Sequence, residues 1–309
     1  MIYTLTCNPA LDCTVRLDTL RQGEINSAHD CTLTPGGKGI NVSRILKELE
    51  MDTLALGFVA GGNGTLLEGA LQKMWVNTHF IPLREGQTRI NVKIYGDAET
   101  QLNAPGAPVS PDDMLELNAL LCALSPMGED AVCLCGSLAP DMPPNTYRRL
   151  VKQLHKMGVV YTVVDTAGEA LMEALNEKPW LIKPNREELE ALVGRDLPDL
   201  ARVVSAAETL MDLGARNVLV SLGGDGAVLC AADGQRLYLP TPSGRVIGTV
   251  GAGDSLVAGF VTGYLRYRDV VRALQLGVAC GSATAFSEGL ATARDIAAAQ
   301  MILPVVQGV

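Results

Sequence analysis

The sequence predicts an α/β protein with a mostly parallel central sheet and helices on both faces. Short runs rich in β-branched residues alternate with longer segments in which apolar residues recur at three- and four-residue spacing. No repeat or low-complexity segment interrupts the alternation. Strands that alternate with helices of about 10–15 residues form βαβ units. Because their crossovers are right-handed, the helices are placed on both faces of the sheet.

The alternating segments follow one another along the chain. Strands are expected at 53–59, 131–136, 159–165 and 217–223, and helices at 64–74, 145–158, 168–178 and 200–214. Two other segments, 11–34 and 88–103, alternate polar and apolar residues, which is typical of half-buried antiparallel strands. We therefore expect residues 1–309 to form one domain, with a small antiparallel β lid built from insertions at about 11–34 and 88–103.

Composition and charge exclude several classes of function. Hydrophobic residues make up 48% of the chain and charged residues 19%, as in an ordered globular protein. The net charge of −9 argues against nucleic-acid binding, which depends on clustered Lys and Arg, but it permits an anionic small-molecule substrate. The N-terminus has no basic region followed by an apolar one, and no long apolar run follows, so a cytoplasmic protein without membrane contact is expected.

A first glycine cluster, "TPGGKGINVSR" at 34–44, places Lys38 at the start of an amphipathic segment. It looks like a phosphate-binding loop, but a P-loop requires Gly and Ser or Thr at the positions that Thr32 and Gly39 occupy. The pattern therefore indicates a lysine that binds phosphate outside a P-loop.

A second cluster, "TVGAGDSLVAGF" at 249–260, is more informative. Gly251 and Gly253 allow a tight turn, and a helix is expected from Asp254, which would be its N-cap or N1 residue. Backbone N–H groups at a helix N-terminus bind anions. A carboxylate beside such a site suits a general base that removes a proton from an attacking hydroxyl. The alternative is an ordinary capping Asp that stabilises the helix by about 1 kcal/mol.

Two further motifs have both a functional and a structural interpretation. In "KPNREELE" (183–190), Asn185 and Glu188 share a helix face and offer the oxygen ligands that Mg²⁺ prefers. The same two residues fit a capping box. The segment "SLGGDGA" (221–227) is a glycine-rich turn that suits either a nucleotide pocket or a plain hairpin.

In this order, "GGKGIN", "KPNREEL", "SLGGDGA" and "TVGAGDS" resemble the PfkB/ribokinase family of sugar kinases over essentially the whole chain. The resemblance implies a ribokinase-like fold with ATP and Mg²⁺. "PGGKGINVSR", "TRINVKI" and "GSLAPDMP" are most similar to the members that act on fructose 1-phosphate, which implies fructose 1,6-bisphosphate as the product. Kinases of tagatose 6-phosphate or fructose 6-phosphate are alternatives, and a catalytically silent sugar- or nucleotide-binding regulator is an alternative of another class.

The resemblance also implies a role for each matching residue. Asp254 is the general base, and Gly251, Ala252 and Gly253 form the anion hole. The substrate-binding residues are Asp12, Gly37, Lys38, Asn41, Arg89 and Ser137, and the nucleotide-binding residues are Lys183, Asn185, Ser221, Gly223 and Gly226. Asn185 and Glu188 order Mg²⁺ through water, and Ser287 with Gly289 marks a candidate site for a monovalent cation such as K⁺.

Two expectations concern the substrate and the assembly. Lys38 and Arg89 offer two cations to a dianion, which suits a sugar that already carries a phosphate. The lid sheet has edges that proteins usually cover, so a homodimer joined through the lids is expected.

Overall fold

The computed structural model describes all 309 residues, which form two β-sheets and ten α-helices. The strands are β1 (Ile2–Thr6), β2 (Ala10–Arg16), β3 (Asp30–Gly36), β4 (Thr53–Ala60), β5 (Thr78–Leu83), β6 (Arg89–Tyr95), β7 (Glu99–Leu102), β8 (Gly128–Cys135), β9 (Val159–Asp165), β10 (Leu181–Ile182), β11 (Val218–Ser221), β12 (Ala227–Cys230), β13 (Arg236–Leu239) and β14 (Gln307–Gly308). The helices are α1 (Lys38–Glu48), α2 (Gly61–Lys73), α3 (Pro111–Leu124), α4 (Thr146–Lys156), α5 (Gly168–Leu175), α6 (Arg186–Val193), α7 (Leu200–Asp212), α8 (Ala252–Tyr267), α9 (Val270–Ala285) and α10 (Ala293–Met301).

The large sheet has ten strands in the order β14-β13-β12-β11-β10-β9-β8-β1-β4-β5. Its pairs from β11 to β5 are parallel, and β12, β13 and β14 add an antiparallel edge. The expected mostly parallel central sheet is confirmed. The antiparallel edge forms because β11 continues into β12 through the short glycine-rich turn at 223–226, which leaves no length for a crossover helix.

Helices cover both faces of this sheet because successive side chains of the buried strands point to opposite faces. Along β8, Val132 and Leu134 belong to the core that is shared with α3, α4, α5 and α7. Their neighbours Ala131 and Cys133 belong to the core that is shared with α1, α8, α9 and α10. Strands buried on both sides read as near-continuous apolar runs, which is why the sequence showed no alternation there.

The lid is a separate four-stranded sheet in the order β3-β2-β6-β7. Its strands lie at 10–16, 30–36, 89–95 and 99–102, within or next to the two segments expected to form it. It differs from the expectation in one respect: β2 and β6 at its centre pair in parallel, so the sheet is mixed. The reason is that the lid combines two hairpin-like pairs from distant parts of the chain, each antiparallel internally.

Element boundaries differ slightly from those expected. Helix α2 begins at Gly61 rather than 64, and α8 begins at Ala252 rather than at Asp254. Both helices start directly at a glycine-containing turn, where sequence periodicity gives no signal. None of the ten helices combines the length and the apolar character needed to cross a bilayer.

Candidate active site

The candidate residues collect at the carboxyl edge of the large sheet, where open α/β sheets bind ligands. Asp165 and Ser221 are the last residues of β9 and β11. Ser137 follows β8 by two residues, and Lys183 directly follows β10. An isolated parallel bridge joins Asn185 to Ser221 and brings the middle and later motifs side by side.

A cavity of about 730 Å³ opens at this edge. Eleven of the sequence-predicted residues line it: Lys38, Lys183, Asn185, Glu188, Ser221, Gly223, Gly226, Gly251, Ala252, Gly253 and Asp254. The lining combines apolar residues, among them Val246, Val278 and Phe286, with the charged side chains. A cavity with an apolar lining and converging polar groups has the character of a small-molecule site.

The N-terminus of α8 lines this cavity. Gly251 is the N-cap of this helix, and its φ of 82° is a backbone conformation that residues other than glycine rarely adopt. No side chain caps the helix there. The N–H groups of Gly253 and Asp254 have no acceptor in the protein. Asp254 itself is the third residue of the helix, not the N-cap or N1 residue expected from the sequence. The helix end therefore offers free N–H donors to an anion.

Asp254 is buried, with 7% of its surface exposed, and its Oδ2 accepts a hydrogen bond of 2.8 Å from Asn41 Nδ2. Burial, and then repulsion by Asp165, raise the pKa of Asp254 to about 6, against the lowering effects of Lys38, Asn41 and Lys183. A carboxylate with its pKa near 6 is still ionised at neutral pH and is a stronger proton acceptor than an ordinary Asp. Its position beside the free N–H groups suits a general base.

Asp165, which sequence reasoning missed, holds the two lysines of the site. It is fully buried, and its Oδ1 lies 2.9 Å from Lys38 Nζ and 3.5 Å from Lys183 Nζ. Burial opposes its ionisation, but the attraction of Lys183 and Lys38 outweighs that cost and lowers the pKa of Asp165. Its other oxygen, Oδ2, is buried without a hydrogen-bond partner. A carboxylate that ends an apolar strand, "VVYTVVD", was the available signal.

Asn185 and Glu188 form a capping box at the start of α6, which confirms the structural interpretation of this motif. Asn185 Oδ1 accepts from Glu188 N at 2.7 Å, and Glu188 Oε2 accepts from Asn185 N at 2.9 Å. Both residues also line the main cavity. The two interpretations are compatible, because the box fixes one carboxylate oxygen of Glu188 and orients the group towards the cavity.

Ser137 lies in a second cavity of about 370 Å³ that shares Lys38 and Glu188 with the first. The turn that carries Ser137 is held by the fully buried Tyr147, whose hydroxyl donates to the carbonyl oxygen of Gly136 at 2.9 Å. Lys38 therefore stands between the two cavities, within reach of a group in either.

The lid places Asp12 on its inner, polar face. Asp12 accepts hydrogen bonds from Lys93 Nζ at 2.8 Å and from Asn91 Nδ2 at 3.1 Å. Lys93 and Asn91 are buried, whereas the apolar residues of the same strand are more exposed. Lys93 was also missed, although period-two alternation from Arg89 through Asn91 predicts that it shares their face.

Arg89 and Gly37 lie at the base of the lid. The guanidinium of Arg89 donates to Ala104 O at 3.1 Å and to Asn8 O at 2.9 Å, and its Nε is buried without a partner. Arg89 lines neither of the two cavities described above. Gly37 is the N-cap of α1 and so leads directly into Lys38. The structure thus brings the catalytic and nucleotide-binding candidates together, and leaves Asp12 and Arg89 in contact with lid groups.

The predicted cation segment adjoins the anion hole. Ser287 follows α9, and its hydroxyl donates to Ala283 O at 2.8 Å. A Cβ added to Gly251 would lie 2.4 Å from a methyl group of Leu290, the residue after Gly289. The turn at 287–290 therefore packs against the N-cap of α8.

Comparison with known proteins agrees with this fold. The profile described as pfkB family carbohydrate kinase matches residues 5–297. The 1-phosphofructokinase of Bacillus subtilis (strain 168) is 38% identical over 308 residues, which cover 99% of each chain.

Two solved structures share the fold. The first is phosphofructokinase-2 of Escherichia coli in complex with fructose-6-phosphate, with a TM-score of 0.90, 28% identity and 98% of each chain covered. Other structures of that enzyme contain potassium or show a tetrameric inhibited form. The second is Arabidopsis thaliana ribokinase complexed with ribose and ATP, with a TM-score of 0.79, 21% identity, and 97% of this chain and 98% of that chain covered. A family profile that matches nearly the whole chain, on a ribokinase-like fold, leads to one conclusion: this chain belongs to the pfkB family of carbohydrate kinases.

Proposed function

We propose that this kinase transfers the γ-phosphoryl group of ATP to fructose 1-phosphate and forms fructose 1,6-bisphosphate. The observation that carries the proposal is the pairing of buried Asp254 with the free N–H groups at the start of α8, both in the lining of the main cavity. The substrate follows from the whole-length similarity to 1-phosphofructokinases. Residues 1–309 act as one kinase domain, whose lid covers the sugar.

The reaction needs a base, an anion hole and a fixed geometry. Asp254 accepts the proton of the sugar hydroxyl as the hydroxyl oxygen bonds to the γ-phosphorus. The bond from that phosphorus to the β–γ bridging oxygen breaks, and ADP leaves with the electron pair. The N–H groups of Gly253 and Asp254 stabilise the charge that spreads over the transferred group. Asn41 orients the carboxylate through its 2.8 Å hydrogen bond.

The residues present fit Mg²⁺. Asn185 and Glu188 both line the main cavity, and Glu188 has one carboxylate oxygen outside the capping box. One or two carboxylates together with waters and substrate phosphates are the usual Mg²⁺ environment. Asn185 and Glu188 would hold the ion through water, with the capping box orienting Glu188. When bound, Mg²⁺ neutralises charge on the β- and γ-phosphates.

The sugar and its phosphate lie between lid and sheet. Asp12, the backbone of Gly37 and Asn41 bind the hydroxyl groups, and Ser137 binds the phosphate. Lys38 stands between the two cavities, so it contacts the phosphate of the sugar on one side and the transferred phosphoryl group on the other. Arg89 reaches the sugar phosphate only by exchanging one of its two backbone carbonyls for it.

Activation by a monovalent cation is proposed for the turn at Ser287 and Gly289. This turn packs against the N-cap of α8, and its backbone carbonyls rather than the Ser287 hydroxyl, which donates to Ala283 O, would bind the ion. Activity measured in KCl and in tetramethylammonium chloride at equal ionic strength tests the site. Equal rates in the two salts contradict it.

A coupled assay of ADP formation tests the proposed function. Fructose 1-phosphate, fructose 6-phosphate, tagatose 6-phosphate and fructose are compared as acceptors with ATP and Mg²⁺. We expect the highest kcat/KM for fructose 1-phosphate. A higher value for another ketose phosphate would overturn the substrate, and no ADP formation with any acceptor would favour a catalytically silent binding protein.

We also propose that two copies associate through the outer face of the lid. The strand registers place Leu33, Ile90 and Leu102 on this face, opposite to Asp12. Their surfaces are 48%, 38% and 57% exposed. Contiguous exposed apolar residues on a polar-backed sheet are typical of an interface, and a second copy offers the same self-complementary surface.

A further inference from the structure

Asn8 lies just after β1, at the point where the chain enters the lid, and it is nearly buried, with 6% of its surface exposed. Its Nδ2 donates to Pro105 O at 2.9 Å and to Leu138 O at 3.4 Å. Pro105 follows β7, where the chain leaves the lid, and Leu138 adjoins Ser137 after β8. One amide group therefore joins the entry of the lid, its exit and the turn that carries Ser137.

Arg89 adds a second connection at the same place. Its guanidinium bridges the carbonyl oxygens of Asn8 and Ala104. A backbone hydrogen bond of 3.3 Å from Val109 N to Pro140 O continues the contact between the lid exit and the turn after β8. We call the set of Asn8, Arg89, residues 104–106 and Leu138 the lid junction.

The Asn8 amide packs closely against Gly106 at the lid junction. Gly106 has φ of 93°, and a Cβ added there would lie 2.2 Å from Asn8 Oδ1. Glycine at 106 is thus required both by the backbone conformation and by the close approach of Asn8. The two residues fit each other as a pair.

We infer that Asn8 is a positioning residue for the sugar-phosphate site, acting through the lid junction. It does not line either cavity. Instead it fixes the lid, which carries Asp12, relative to the turn that carries Ser137, so that both contact one substrate. The expected effect of Asn8 on KM rests on the proposed function. The expected effect of Asn8 on the hydrogen bonds of the lid junction concerns the unliganded protein and does not rest on it.

The kinetic test compares Asn8→Ala with a matched control, Asn217→Ala. Asn217 is a similarly buried amide that donates to Trp180 O at 2.7 Å. Like Asn8 it lies outside both cavities, but it is not part of the lid junction. We expect Asn8→Ala to raise KM for fructose 1-phosphate by about 10- to 100-fold, the scale of a small misplacement of substrate-binding groups. KM for ATP should change less than about threefold, and Asn217→Ala should change neither. An equal rise of both KM values in Asn8→Ala overturns the inference.

The mechanical test uses hydrogen exchange of the unliganded protein. In Asn8→Ala, the amide of Val109 should exchange at least about tenfold faster than in the parent, while the amide of Gly136, bonded to Asp165 O, keeps its rate. Unchanged exchange at Val109 overturns the inference even if the chain proves to phosphorylate another sugar. If no acceptor is phosphorylated, the proposed function fails, and the exchange result still decides the role of Asn8.

A second variant covers the case in which Asn8→Ala does not fold. Gly106→Ala leaves Asn8 in place but displaces its amide, so it should reproduce the selective rise in KM and the faster exchange at Val109. Where both single variants fold, the double variant should show less than the sum of their effects, because the clash is absent without the Asn8 side chain. Strict additivity, or a Gly106→Ala variant with parent-like KM values, counts against the lid junction.

Discussion

At the scale of single residues, the raised pKa of Asp254 costs stability at neutral pH. Its pKa of about 6 lies above the ordinary value of 3.8 because burial and Asp165 disfavour the charge. The native state therefore binds this proton more tightly than the unfolded state does, and the stabilising effect is present at low pH and lost as the pH rises through about 6. At pH 7 the ionised group costs roughly 2–3 kcal/mol, at 1.36 kcal/mol per pKa unit.

The substitution Asp254→Asn should separate catalysis from stability. It removes proton acceptance while keeping size, so we expect kcat to fall by about 10²–10⁴-fold with KM values largely unchanged. The same change removes a destabilising buried charge, so thermal stability at pH 7.5 should equal or exceed that of the parent. Differential scanning calorimetry and steady-state kinetics on one preparation measure the thermal stability and kcat. A kcat within about threefold of the parent would contradict the base assignment.

The pH dependence of kcat/KM should report the same group. Because the proposed base is the ionised form of Asp254, kcat/KM should decline as the pH falls through about 6. Lys38 is one of the groups that lower this pKa. Lys38→Met should therefore move the acidic limb of the profile to higher pH, in addition to weakening substrate use. A limb that stays in place in the variant would show that Lys38 does not act on Asp254.

At the scale of elements, the start of α8 determines the geometry of the proposed anion hole. Free N–H groups are available there because Gly251 takes a left-handed conformation and contributes no side chain. The helix dipole adds a favourable field for an anion within the first turn. The same turn packs against Leu290, so the start of α8 is in direct contact with the loop after α9.

Gly251→Ala tests this element against a matched glycine. We expect a drop in kcat of at least about tenfold, because removal of a single oxyanion donor already costs 10²–10³-fold in other enzymes. Gly194→Ala is the control, since Gly194 is also left-handed, at the C-cap of α6, with open space around it. It should lower the free energy of unfolding by about 1 kcal/mol and leave kcat unchanged. Similar kcat values in both variants would contradict the role of the α8 N-terminus.

At the scale of the whole molecule, the lid is polar on its inner face and apolar outside, the reverse of an ordinary surface sheet. Asn91 and Lys93 are buried, whereas Leu33 and Leu102 are about half exposed. This distribution is explained if the inner face covers the substrate and the outer face covers a second copy.

Leu33→Asp should therefore convert a dimer into a monomer, because a charge at an apolar interface is costly to desolvate. Light scattering coupled to size-exclusion chromatography measures the mass. Leu66→Asp serves as the control, since Leu66 on α2 is 59% exposed and outside the lid. Equal masses for the two variants would contradict association through the lid.

How much could be predicted from the sequence differs between fold and site. Alternating strand and helix periods predict the parallel sheet, and paired polar–apolar strands predict the lid, because both depend on local periodicity. The glycine motifs predict the lining of the main cavity for the same reason: each is a contiguous segment. The parallel pairing of β2 with β6 could not be predicted, since it joins segments far apart in the chain.

The sequence alone therefore determined the fold class and the motifs that line the main cavity, because periodicity and motif are properties of neighbouring residues. Only the tertiary structure decided which charges meet. Asp165 binds Lys38 across 127 positions, and Asn41 binds Asp254 across 213 positions. Burial and repulsion by Asp165 raise the pKa of Asp254, Lys38 and Asn41 oppose that rise, and Lys38 lies between the two cavities. Burial and Coulomb attraction act through space, at distances of a few ångströms that separation along the chain does not reveal.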